Sequence, residues 1–107
     1  MINKAVLVGR LTKNPEIKKT PNGNSVCSYT LAVGRNKYEE GQQSADFIEC
    51  VSWGKTAENI YEYIKKGSLI GIEGHIQSRS YSDIKGNKSY VTEVVTDTVQ
   101  FLEKKEN

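Results

Sequence analysis

A chain of 107 residues fits one domain and buries roughly two-thirds of the surface that its unfolded form would expose. Apolar residues at 36% and charged ones at 26% are the balance of an ordinary globular domain, which speaks against a disordered or membrane-embedded chain. A formal charge of +2 excludes little, so a nucleic-acid partner has to be argued from where the basic residues lie.

The start of the chain, Met1 to Lys4, leads into the apolar run Ala5–Val8, which is too short and too soon interrupted by Arg10 for a signal peptide. No run is long enough to span a bilayer. Cys27 and Cys50 lie too far apart for a CxxC motif, which makes two reduced thiols and a cytoplasmic location the expectation. In that compartment the sequon Asn87-Lys88-Ser89 is a chance match.

From Lys4 to Leu11 both parities are apolar, so this strand is expected to be covered on both faces. After Pro15 and a short run Ile17–Lys19, the segment Thr20-Pro21-Asn22-Gly23-Asn24 combines a preset φ with residues that tolerate positive φ, and predicts a hairpin turn. Alternation over Ser25–Gly34 places Cys27, Tyr29, Leu31 and Val33 in the core. A polar stretch, Arg35 to Ser44, predicts a mobile loop. The strand Ala45–Trp53 then puts Phe47, Glu49, Val51 and Trp53 on one face, and Ile48, Cys50 and Ser52 on the other. A helix follows, with Thr56 as N-cap, Ala57, Ile60, Tyr61 and Ile64 at helical spacing, Lys65 and Lys66 suited to the C-terminal dipole, and Gly67 as terminator. A fourth strand, Ser68–Tyr81, turns Ile70, Ile72, Gly74 and Ile76 inward. It joins a fifth, Ser89–Leu102, through the turn-rich segment Asp83–Lys88. Residues 1–102 thus form one domain, and 103–107 a charged, frayed tail.

The order β-β-β-α-β-β is that of the OB-fold, an all-β, five-stranded Greek-key barrel that here carries one helix. Fold alone names no function. The informative feature is a set of aromatics on strand positions that the core does not need. Phe47 and Trp53, six residues apart, share a face with the charged Glu49 and lie about 20 Å apart at roughly 3.3 Å per residue. A core or subunit-contact role is the usual one for such rings. Here, however, Ile48 and Cys50 already serve the core. Tyr81 has the parity of Glu73, His75, Gln77 and Arg79, a polar face. Rings displayed beside Lys55, Arg79, Lys85, Lys88 and Arg35 suit base stacking combined with phosphate pairing.

The segments Asn3–Leu11, Thr20–Gly23, Tyr29–Val33, Trp53-Gly54-Lys55, Tyr63–Ser68, Ile72-Glu73-Gly74 and Thr92-Glu93-Val94 closely resemble the bacterial single-stranded DNA-binding protein (SSB) family, in order along essentially the whole chain. The resemblance implies an OB-fold, homotetramers built from dimers, and wrapping of single-stranded DNA without sequence preference. By position it implies that Phe47, Trp53 and Tyr81 stack on bases and that Lys55 and Arg79 lie on the DNA path. Where the family places an aromatic early in the loop after the second long strand, this chain has Lys37, with Tyr38 one residue later. Most cellular members continue into an acidic tip that recruits partners. This sequence ends at Lys104-Lys105-Glu106-Asn107, so recruitment through such a tip is not expected.

An enzyme is not expected. Asp46, Glu49, Asp83, Glu93 and Asp97 suggest no paired site, His75 is the only histidine and lies on an outward position, and no metal or other cofactor is implied. The remaining alternative is an OB module for single-stranded RNA or for a protein, because stacking and phosphate contacts serve DNA and RNA alike.

Overall fold

The computed structural model describes residues 1–103. In chain order the elements are β1 (Ala5–Leu11), β2 (Glu16–Lys19), β3 (Ser25–Gly34), β4 (Ala45–Trp53), α1 (Gly54–Tyr63), β5 (Leu69–Ser82) and β6 (Lys88–Phe101). The short run before the Asn-Gly turn is itself a strand, so the sheet has six strands. Its five long ones follow the expected order around one helix.

The sheet runs β1-β5-β6-β4-β3-β2 and closes into a barrel where β1 also meets β3. All pairings are antiparallel except β4 with β6. The β3–β4 and β5–β6 ladders are long. By contrast, β4 meets β6 only at Cys50↔Val94 and Val51↔Val95, and β1 meets β3 only at Arg10↔Ala32 and Leu11↔Leu31. This is the OB-fold.

Inside lie Leu11, Cys27, Tyr29, Leu31, Cys50, Ile70, Ile72 and Val94 from the strands, with Ala57, Ile60 and Ile64 plugging one end. Each buried Leu or Ile contributes roughly 1.5–3 kcal/mol to folding. The Tyr29 hydroxyl is satisfied by Thr96 Oγ1 at 2.5 Å. Burial pushes the thiols up, Cys27 to about 11 and Cys50 to about 12, so both stay protonated at neutral pH. Two glycines allow strands to cross closely. A Cβ on Gly9 would strike the Ala32 carbonyl oxygen, and one on Gly74, beside the bulge at Glu73/Gly74, would strike that of Val95.

Several expectations need correction. Within the described residues of one chain only one face of β1 is covered: Leu11 is buried and Val6 and Val8 are exposed, so cover for the second face would have to come from another copy. Helix α1 starts at Gly54, two residues before Thr56, and its N-cap is Trp53 with no side-chain cap bond. Gly54 takes φ 62, a left-handed value suited to glycine, and turns strand into helix with no intervening residue. The helix ends before Lys65 and Lys66, since Ile64 is extended at φ −115 and ψ 138. The chain is then held by Asn14 Oδ1, which accepts from Lys66 N, and by the Leu11 carbonyl, which accepts from Gly67 N. Tyr61 is exposed.

Ile76 is also exposed rather than inside. Strand β5 outruns β1, whose first residue Ala5 pairs with Gly74, so Ile76 lies past the end of β1. The Asn3 amide behaves like one more peptide unit of β1, donating to the Ile76 carbonyl at 2.7 Å and accepting from Ile76 N–H at 2.8 Å. From Gln77 to Ser82 every residue of β5 is exposed, and the end of the β5–β6 hairpin extends beyond the barrel as a two-stranded arm. The loop of residues 35–44 is pinned at its base by Arg35 N–H bonded to the Ser44 carbonyl. Glu103, read as the first tail residue, accepts from Arg10 Nη1 and from Leu69 N–H, while residues 104–107 of that tail lie outside the described residues. No helix is long and apolar enough to cross a membrane among the described residues.

Candidate nucleic-acid interface

Strand pairing sets which side chains share the outer surface. On β3 and β4 the outward pairs are Val26↔Trp53, Ser28↔Val51, Thr30↔Glu49 and Ala32↔Phe47. Phe47 sits opposite the small Ala32 and Trp53 opposite the half-buried Val26, and both rings remain open: Phe47 is 59% exposed and Trp53 50%. On β5 and β6 the corresponding pairs are His75↔Val95, Gln77↔Glu93, Arg79↔Val91 and Tyr81↔Ser89, with Tyr81 51% exposed. The parallel pair Val51↔Val95 joins the two halves, so Phe47, Trp53, Arg79 and Tyr81 belong to one continuous outer surface.

The basic residues of the expected site lie on several elements. Lys55 is exposed in the first turn of α1, two residues beyond Trp53. Lys37 and Tyr38 are exposed in the loop after β3. Lys85 and Lys88 are exposed around the arm's tip, where the Asp83 carboxylate accepts from the backbone N–H groups of Lys85 and Asn87 and shapes the turn. Arg35, at the exit of β3, meets Asp46 through Nε and Nη2, the shortest contact being 2.7 Å. That pairing holds the Asp46 carboxyl below the ordinary carboxylate range and raises the Arg35 guanidinium. Arg79 donates from Nε to Glu93 Oε1 at 2.9 Å. His75 Nδ1 lies 3.1 Å from Asp97.

Asp46 and Glu93, which read in the sequence only as carboxylates that make no catalytic pair, each engage an arginine of the expected site. For Arg35 the signal was present, since it and Asp46 flank one loop. For Arg79 the hairpin register was needed. Tyr90, well exposed on the other face of the arm, and the tilted pair Tyr63–Phe101, with centroids 6.0 Å apart, were not anticipated. No cluster of three or more His, Cys, Asp and Glu side chains suited to a metal occurs among the described residues.

Comparison with known proteins gives a consistent result. Residues 2–102 match the model of the single-strand binding protein family. The chain is 54% identical over its full length to single-stranded DNA-binding protein 3 of Listeria innocua, covering 68% of that protein. It is 51% identical to single-stranded DNA-binding protein A of Bacillus subtilis over 98% of the chain, and 56% identical to single-stranded DNA-binding protein 3 of Clostridium acetobutylicum over 95%. It spans 62% and 72% of those two relatives, so each of the three is substantially longer than the present chain.

Proposed function

This chain belongs to the single-strand binding protein family, and from that premise we propose that it binds and protects single-stranded DNA without sequence preference during replication, recombination or repair. As a member of that family it is a binding protein and not an enzyme. The observation that carries the reading is the presence of three half-exposed rings, Phe47, Trp53 and Tyr81, on one outer surface beside Lys55 and Arg79. Bases stack on the rings while the cations pair with phosphates. Lys37 and Tyr38 extend the path at one loop, Arg35 at the end of β3, and Lys85 and Lys88 at the arm. The working unit is the barrel of residues 1–102, and the cytoplasm is the compartment that suits its two free thiols.

Trp53 is the sole tryptophan, so oligo-dT titrated at low salt should quench the protein's indole emission. Affinity should then fall steeply with salt, with a log–log slope of about −0.7 for each phosphate contact. Binding that leaves the emission unchanged would remove Trp53 from the path, and preference for oligo-U over oligo-dT would make the ligand RNA.

Assembly is part of the proposal. Strand β1 has β5 on one side, but among the described residues its other edge is unpaired from Ala5 to Gly9, and Val6 and Val8 beside that edge are exposed. A second copy would satisfy the edge and cover the valines. Dimers formed there pair into a closed tetramer of about 48 kDa, four times the 12.0 kDa chain. Light scattering on a dilution series should find that mass, and a persistent 12.0 kDa species would rule the assembly out.

A further inference from the structure

We propose that Glu93 is a positioning residue that aims Arg79 at phosphate, an inference that rests on the single-stranded DNA reading above. Glu93 lies mid-strand on β6 opposite Gln77, on the outer surface that carries the rings. Its side chain is only 10% exposed, which leaves the carboxylate little room to move, whereas Arg79 is 53% exposed. The two meet through one bond, Arg79 Nε–H to Glu93 Oε1.

Anchoring by Nε has a specific geometric result. A guanidinium presents donors along two useful edges, and the terminal one, formed by Nη1 and Nη2, matches two phosphate oxygens. In Arg79 neither terminal nitrogen has a protein partner among the described residues. Arg35 differs, because Asp46 engages its Nε and one terminal nitrogen together. Part of the rotamer freedom that a long arginine would lose on meeting phosphate is already lost in the unbound protein. A carboxylate on a nucleic-acid face repels phosphate, and its near-burial is costly in itself. Positioning the fork offsets both disadvantages.

The two roles open to Glu93 differ in the sign of one measurement. If it were only a counter-charge, deleting it would tighten binding. If it positions Arg79, Glu93→Ala should weaken binding of the full chain to oligo-dT by about tenfold although a negative charge has been removed. Glu93→Gln keeps an amide oxygen that can accept from Nε, and should recover most of that loss. In an Arg79→Ala background, Glu93→Ala should cause no further loss. Equal or tighter binding by Glu93→Ala, no recovery with Gln, or an undiminished effect without Arg79 would each overturn the proposal. Should Glu93→Ala fail to fold, Arg79→Lys poses the same question, since it keeps the charge but lacks the fork. It should bind as weakly as Arg79→Ala, and native-like affinity would overturn the idea. Failure of the native chain to bind oligo-dT would instead remove the underlying reading, and this inference with it.

Discussion

Replacing Phe47 and Trp53 together by Ala is expected to weaken oligo-dT binding by roughly 2–6 kcal/mol, each stacked ring being worth about 1–3 kcal/mol. Neither ring is among the core residues, and both lie half-exposed on the outer face of β4. Truncation should therefore leave no cavity and little change in the melting curve. Fluorescence anisotropy of a labelled oligonucleotide measures the binding loss, and circular dichroism the melting curve. A double variant that binds like the native chain would exclude the β4 surface from the path. One that no longer folds would return the rings to a structural role. Trp53 has the added constraint of directly preceding Gly54, so the ring's place at the strand's end depends on the left-handed turn at that glycine.

The second large effect is on stability. Gly74→Ala should destabilise the barrel by on the order of 3 kcal/mol or more, because the new Cβ meets the Val95 carbonyl, and neither is the far end of a flexible side chain. For a domain of this size the loss corresponds to a fall of roughly 10–25 °C in Tm. Gly71→Ala is the matched control: its Cβ would sit 3.5 Å from Leu102 and 3.7 Å from Val8, ordinary contacts with side chains that can shift. Thermal melts of both variants decide the matter. A Gly74→Ala melt indistinguishable from that of Gly71→Ala would mean that the bulged backbone yields freely.

Much of this architecture was legible because local rules and global fold agree. The Asn-Gly turn and strict alternation place β3 and β4 at the residues anticipated, with Cys27, Tyr29, Leu31 and Cys50 inside. The outward parity of Phe47, Trp53 and Tyr81 follows from the same two-residue period. Failures came where the outcome depends on what lies alongside. Parity cannot say where a strand leaves a barrel, so Ile76 reads as core although β5 has by then outrun β1. Capping preferences favoured Thr56, yet Gly54 had already turned the chain into the helix. The pairing of Arg79 with Glu93 spans two strands and is visible only once their register is known.

The two narrow pairings, β4 with β6 and β1 with β3, divide the barrel into a pair of slabs: β2-β3-β4 on one side and β1-β5-β6 on the other, stitched by two residue pairs at each seam. Backbone pairing resists sliding least along those seams. Phe47 and Trp53 belong to the first slab, Arg79 and Tyr81 to the second. A strand of nucleic acid that stacks on the one and pairs with the other crosses the β4–β6 seam. On that proposed path it would act as a strap, bracing the barrel where its own stitching is thinnest.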